Sequence, residues 1–144
     1  MRLFFLLTFL SLPALACPKL AGNYKICKSQ TGQMPATYDF NVIQRDSSGT
    51  EIFHVMSVDE AGERTVDTFK ADGKLYEQEM LDPYTGMKLF YSSLTKCTKD
   101  TLEIANKIMN EKLTITMFKQ DGKLIQKITG RNLGKNVIDT ITCE

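Results

Sequence analysis

The stretch LTITMFKQDGKLIQKIT, residues 113–129, decides the fold that this sequence predicts. Leu113, Ile115 and Met117 alternate with more polar residues, which is the period of two expected for a β-strand with one buried face. The Asp-Gly pair at 121–122 tolerates the positive φ angles that a tight hairpin requires, and a second strand-like run follows it. The stretch therefore predicts an antiparallel β-hairpin.

The same pattern continues along the rest of the chain. FKADGKL at 69–75 nearly repeats FKQDGKL at 118–124, and further turn signals recur about every ten residues. Because closing a meander into a barrel removes its two unpaired edges, we expect an all-β, single-domain antiparallel meander, most readily a closed up-and-down β-barrel of 8–10 strands. The predicted strands are 22–29, 36–45, 50–58, 63–70, 74–81, 87–96, 101–109, 112–120, 124–131 and 136–143.

One segment, KDTLEIANKIMNEK at 99–112, fits two structures. Asp100 followed by Glu103 is typical of a helix start. The same segment also alternates apolar and polar residues from Leu102 to Ile108, as a strand does. We favour the strand because it matches the spacing of its neighbours, and the helix remains the alternative.

The first sixteen residues, MRLFFLLTFLSLPALA, have the pattern of a secretory signal peptide. Arg2 precedes an apolar run that is too short to span a bilayer, and Ala14-Leu15-Ala16 forms a small-residue cleavage site. The prediction is a signal peptide at 1–16 and one β-barrel domain at 17–144, secreted or periplasmic.

The four cysteines are Cys17, Cys27, Cys97 and Cys143. An even number in an exported chain indicates two disulfides. Because an even-stranded barrel brings its last strand beside its first, the pairing Cys17–Cys143 with Cys27–Cys97 is slightly preferred among three. A metal site is not expected, since the cysteines lack close pairs and His54 lies far from them in sequence.

The net charge and the position of Cys17 indicate whether nucleic acid, a membrane or a lipid anchor is expected. Without Arg2 the mature chain has 17 basic and 17 acidic side chains, so neither nucleic acid nor an anionic membrane is an expected partner. Cys17 directly follows the cleavage site, as in bacterial lipoproteins, but Ala14 and Leu15 do not fit the lipoprotein pattern. We therefore expect no lipid anchor on Cys17 and no membrane insertion.

PKLAGNYKI at 18–26 resembles the opening of the calycins, the lipocalins and fatty-acid-binding proteins, which carry Gly-x-Trp on their first strand. Gly22 and Tyr24 stand at the matching positions. The resemblance implies a barrel whose closed end is plugged by Tyr24, with Arg131 in the place of the lipocalin arginine that packs on the aromatic. The last strand lacks the Arg-x-Tyr of fatty-acid-binding proteins.

Candidate catalytic groups are few. His54 is the single histidine, and no G-x-S-x-G motif accompanies it. Glu77 and Glu79 face the same side of one predicted strand, where a solvated stripe is the simpler interpretation than a glycosidase pair. We therefore expect a protein that is not an enzyme and has no cofactor.

Aromatic residues are distributed over several predicted strands and are candidates to line an apolar cavity inside the barrel. The sequence thus predicts a binding protein for a small apolar molecule. The alternative is an interaction or inhibitor protein that works by its surface, with an interior filled by Phe40, Phe53 and Met117. The candidate lining residues are Tyr24, Tyr38, Phe40, Phe53, Phe69 and Tyr91.

Overall fold

The computed structural model describes residues 16–144, and this range consists of ten β-strands and their connections. All ten predicted strands are present, with ends within two residues of the predicted ones. Residues 1–15, which hold nearly all of the predicted signal peptide, lie outside the described range. The strands are β1 (Gly22–Ser29), β2 (Thr37–Ser47), β3 (Thr50–Val58), β4 (Arg64–Lys70), β5 (Leu75–Leu81), β6 (Lys88–Cys97), β7 (Leu102–Ile108), β8 (Glu111–Gln120), β9 (Lys123–Asn132) and β10 (Lys135–Cys143).

The segment 99–112 is therefore not a helix. Its alternation places Leu102 and Ile104 on the buried face of β7, and a turn at 109–110 leads directly into β8. Burial of this apolar face against the sheet outweighs the local helix-start signal.

The strands form one antiparallel sheet in the order β4-β3-β2-β1-β10-β9-β8-β7-β6-β5. The first and last strands pair, as an even-stranded meander predicts. However, β4 and β5 stand at the two edges of the sheet and are joined only by the turn at 71–74. The sheet is thus a curled, incomplete barrel, and we call the gap between β4 and β5 the seam.

Tight turns set the register of the hairpins. Asp121 and Gly122, with φ of 52° and 78°, connect β8 to β9. Ser48 and Gly49, with φ of 55° and 81°, connect β2 to β3 in the same way. Two consecutive positive φ angles are typical of the turns whose twist matches antiparallel strands.

The buried core lies inside the curl on the side away from the seam. Its members come from β1, β2, β3, β7, β8, β9, β10 and the segment before β1, whereas β4 and β5 contribute none of them. The core residues are Leu20, Tyr24, Cys27, Phe40, Val42, Phe53, Val55, Leu102, Ile104, Met117, Leu124, Ile128, Val137, Ile141 and Cys143.

The disulfides are Cys17–Cys97 and Cys27–Cys143, so the preferred pairing was wrong. The register explains the difference: Cys27 stands directly opposite Cys143 in the β1–β10 ladder. Cys17 precedes β1 and instead reaches the end of β6, with its Cα atom 5.0 Å from that of Cys97.

Tyr24 is buried beside Gly22, whereas Arg131 does not take the place that the resemblance implies. The Tyr24 ring is buried and lies so close to Gly22 that a Cβ there would approach it to 3.1 Å. The cation near the ring is Lys119, whose Nζ is 5.8 Å from the ring centroid. Arg131 is exposed near the β9–β10 turn.

Candidate ligand-binding cleft at the seam

The pairing register shows which residues of β4 and β6 face the inside of the curl. Directly opposed residues of antiparallel strands share a face. Phe69 stands opposite the buried Phe53, so β4 directs Phe69 inward. Thr95 stands opposite the buried Ile104, so β6 directs Thr95 inward and, by alternation, Tyr91 as well.

The inward residues of β5 follow from the same rule. Tyr76 stands opposite Ser93, and Gln78 opposite Tyr91. Together with β4 they bound a cleft of about 300 Å³ beneath the seam, which we call the seam cleft. Its lining consists of Asp67, Thr68, Phe69, Lys70, Tyr76, Gln78, Tyr91, Ser93 and Thr95.

The strands bordering the seam are exposed on both faces. Every residue of β5 is exposed, and Phe69 is the single residue of β4 that is partly buried. A filled barrel buries every second residue of each strand. The space under the seam is therefore not filled by the protein's own core.

Hydrogen bonds fix the polar wall of the cleft. The hydroxyls of Tyr91 and Ser93 both donate to Oδ1 of Asn106, at 3.1 Å and 2.8 Å. Because their protons are engaged, these two oxygens present lone pairs and can accept hydrogen bonds from a bound molecule. The amide of Gln78 can both donate and accept. The wall thus combines three aromatic rings with a few oriented polar groups.

The β4–β5 turn closes one end of the cleft. The Tyr76 hydroxyl donates to Oδ2 of Asp72 at 2.5 Å, and the Lys70 ammonium lies 6.0 Å from the Tyr76 ring centroid. The bond from Tyr76 lowers the pKa of the Asp72 carboxyl and raises the pKa of the Tyr76 hydroxyl. The Gly73 N–H also donates to the Thr95 carbonyl, so the turn is held against β6.

The structure separates the six candidate lining residues into two groups. Phe69 and Tyr91 line the seam cleft, so their role in binding stays a prediction. Tyr24, Phe40 and Phe53 lie in the core, and Met117 is buried with them. That part of the interior is filled, as the alternative function predicts.

Tyr38, a candidate lining residue, does not share the inward face of Phe40 and Val42. The pairing of β2 with β3 shifts between Tyr38 and Asn41, and Asp39 has a positive φ of 48°. This irregularity leaves Tyr38 39% exposed.

Sequence reasoning did not select Tyr76, Gln78, Ser93 or Thr95 as lining residues. Their alternation with outward residues was visible in the sequence, but three of them are too polar to look like core. Only the position of the seam shows that they face a space. No sequence signal marks β4 and β5 as the unpaired strands.

The other candidate chemical groups lie on the outer surface. Nδ1 of His54 is 2.9 Å from the hydroxyl of Thr68, the residue directly opposite it on β4. Glu77 and Glu79 are exposed on the outer face of β5, and Glu79 forms an ion pair with Lys88 at 2.7 Å. Within residues 16–144, no group of three or more His, Cys, Asp or Glu side chains is placed to hold a metal ion.

Two comparisons with known proteins gave no match. No protein-family model matches the chain, and no curated protein sequence matches it either. In the described part of the chain, no helix is long and apolar enough to cross a membrane.

Proposed function

We propose that this chain is an exported, non-enzymatic binding protein that holds a small, mainly apolar molecule in the seam cleft. The observation that carries the proposal is the exposure of β4 and β5 on both faces within a sheet that otherwise buries its inner face. The two disulfides support an oxidising compartment outside the cytosol, in agreement with the predicted signal peptide.

The cleft sets the chemistry of the ligand. Its volume, about 300 Å³, lies at the lower end of the range for small-molecule pockets. The rings of Phe69, Tyr76 and Tyr91 offer apolar contact, while Gln78 and Ser93 offer hydrogen bonds to one polar group. A flat molecule with one donor group fits these walls.

We further propose that binding draws β4 and β5 together, which would complete a calycin-like barrel. The edges of both strands carry backbone groups that can pair across the seam. A ligand under the seam would supply the apolar contacts that these strands lack.

Neighbouring serines on β6 provide a matched test. Ser93 faces the cleft, whereas Ser92 faces outward opposite Glu77. Ser93→Phe places a ring in the cleft, and Ser92→Phe adds the same ring outside it. The probe is N-phenyl-1-naphthylamine, a neutral apolar dye whose fluorescence rises on burial.

We expect the wild-type protein and Ser92→Phe to bind the dye with similar affinity, and Ser93→Phe to bind it at least about tenfold more weakly, since a filled pocket excludes the ligand. Equal dye affinity in all three proteins would overturn the proposal, and so would the absence of dye binding by the wild type. Circular dichroism shows whether each variant keeps the sheet.

A second candidate is an interaction protein that works by its outer surface. The filled core around Phe40, Phe53 and Met117 favours it, as do large apolar side chains exposed at one end of the sheet. It predicts that Ser93→Phe leaves partner binding unchanged. Replacing the exposed apolar side chains at that end of the sheet should abolish partner binding.

A further inference from the structure

Three neighbouring hairpin turns display large apolar side chains at one end of the sheet. We call these residues the apolar rim: Leu81, Tyr84 and Met87 at the β5–β6 turn, Ile108 and Met109 at the β7–β8 turn, and Leu133 at the β9–β10 turn. Tyr84 is 96% exposed and Leu133 86% exposed. Side chains of this size are rarely so exposed in adjoining turns unless the surface contacts something.

Hydrogen bonds join the three turns side by side. The Met109 N–H donates to the Phe90 carbonyl at 2.9 Å, which holds the β7–β8 turn against β6. The Leu133 N–H donates to Oε2 of Glu111 at 2.7 Å, which holds the β9–β10 turn against β8. The three turns are therefore held side by side at this end of the sheet.

The β5–β6 turn is also fixed internally. The Asp82 carboxylate accepts hydrogen bonds from the N–H groups of Tyr84 and Thr85, both at 2.8 Å. The Asp82 N–H donates to the Met87 carbonyl at the same distance. These bonds hold the turn in a defined shape, with Tyr84 and Met87 exposed to solvent.

The opposite end of the sheet is different. Its turns lie at 48–49, 71–74, 98–101 and 121–122, and they contain serine, glycine, aspartate, lysine and threonine with one alanine. Leu75 and Tyr76 beside the 71–74 turn are also exposed, so the two ends differ in number: the apolar rim has six exposed large apolar side chains.

Basic side chains flank the apolar rim. Lys107 and Lys112 adjoin the β7–β8 turn, and Arg131 and Lys135 adjoin the β9–β10 turn. In the described range, none of these four forms an ion pair within 4.0 Å.

The acidic side chains beside the apolar rim already form an ion pair or accept hydrogen bonds. Glu79 pairs with Lys88, and Asp82 accepts the backbone bonds of its own turn. Glu111 accepts from the N–H groups of Leu133 and Gly134. These acids keep their charge, but with Lys88 counted five cations and three carboxylates adjoin the apolar rim, so this region is locally positive although the mature chain has no net charge.

We propose that the apolar rim docks on the surface of an anionic lipid membrane. Exposed apolar side chains enter the interface while the flanking cations meet lipid phosphates, a combination that favours anionic membranes. The acidic β3–β4 turn, with Asp59, Glu60 and Glu63, lies at the same end but on the other side of the seam. The anionic lipid repels this acidic turn, so the molecule tilts and the β5–β6, β7–β8 and β9–β10 turns face the lipid.

The test is flotation of the purified mature protein with vesicles of phosphatidylcholine alone and of phosphatidylcholine mixed with phosphatidylglycerol. We expect at least about tenfold stronger binding to the anionic vesicles, weakened by added salt. Tyr84→Ser/Met87→Ser/Leu133→Ser removes apolar contact and should reduce binding at least about tenfold. Lys107→Gln/Lys135→Gln should remove most of the preference for phosphatidylglycerol.

The matched control is Val66→Thr/Ile138→Thr, which changes two exposed apolar residues on the outer wall. It should bind like the wild type. Equal binding by the wild type and the triple variant, or no preference for anionic vesicles, would overturn the proposal. Thermal melts show that each variant is folded. Ser93→Phe should leave vesicle binding unchanged, which separates this result from that of the seam cleft.

Discussion

Cys27 and Cys143 stand directly opposite each other in the β1–β10 ladder, with their Cα atoms 4.0 Å apart and their sulfur atoms bonded. This bond fastens the strand pair that joins the two ends of the domain. Among the ten described strands, β1 and β10 form the one strand pair that connects the β1–β4 half of the sheet to the β5–β10 half. The disulfide therefore holds together the two halves that diverge at the seam.

Removing either disulfide should destabilise the domain by a similar amount. The bridges span 116 and 80 residues, and the loop entropy lost from the unfolded chain grows only with the logarithm of this length. We expect Cys27→Ala/Cys143→Ala and Cys17→Ala/Cys97→Ala each to lose about 2–5 kcal/mol of unfolding free energy, within about 1 kcal/mol of each other. Urea denaturation of the two double variants measures this difference.

Clearly unequal losses of unfolding free energy in the two double variants would contradict this prediction. If Cys17→Ala/Cys97→Ala melted like the wild type, the segment before β1 would not be fastened to β6, and Leu20 would not be held in the core. The wild type under reducing conditions serves as the control, since it should approach the stability of a variant that lacks both bridges.

Asp139 should make stability depend on pH in the acidic range. Burial raises the pKa of this carboxyl, but hydrogen bonds from Ser29, Thr31 and Thr140 outweigh burial and hold the pKa below its ordinary value. A lowered folded-state pKa stabilises the protein above the unfolded-state value of about 3.9. That contribution is lost as the pH falls through the folded-state pKa.

Asp139→Asn should therefore cost about 1–3 kcal/mol at neutral pH, because its amide would present N–H groups to donors. The difference from the wild type should shrink as the pH is lowered below about 4. Denaturation curves at several pH values measure both effects. Asp46→Asn, at an exposed turn, is the control and should change stability little. A difference that stayed constant with pH would contradict this account, because it would mean that the Asp139 carboxyl has the same pKa in the folded and unfolded chains.

Gly130 should be the least replaceable glycine of the sheet. A Cβ atom there would lie 2.1 Å from the Lys112 carbonyl oxygen and 2.9 Å from the Leu113 Cα, so the backbone of β8 would have to move. Gly122 also has a positive φ, but nothing lies within 4 Å of its Cβ position. We expect Gly130→Ala to lose about 3 kcal/mol or more and Gly122→Ala about 1 kcal/mol. Equal losses in urea denaturation would contradict this account.

Local patterns predicted most of the fold. The Asp-Gly and Ser-Gly turns and the alternation between them place all ten strands, because both signals depend on neighbouring residues alone. The pairing of β1 with β10 follows from the even number of strands. Features that depend on distant contacts were not predictable. The irregularity at Tyr38 depends on the register between β2 and β3, and the cysteine pairing depends on the register between β1 and β10.

The candidate site was predictable only in part. An inward aromatic such as Phe69 or Tyr91 looks the same in sequence whether it fills a core or lines a space. Phe53 and Phe69 are directly opposite each other on neighbouring strands, yet the first is fully buried and the second borders the cleft. The difference arises from the seam, which depends on the curl of the whole sheet.

The seam should be visible in amide hydrogen exchange. Backbone N–H groups that face the seam on β4 and β5 have no strand partner, whereas those of β8 and β9 are paired on both sides. We expect peptides from 64–81 to exchange much faster than peptides from 111–132, since exposed and unpaired segments open most readily.

Saturating N-phenyl-1-naphthylamine should slow exchange in 64–81 and leave 111–132 unchanged. Ser93→Phe is the control, because the dye should then give no protection. Uniform protection across both regions without the dye would mean that β4 and β5 already pair in solution and that the seam cleft is closed.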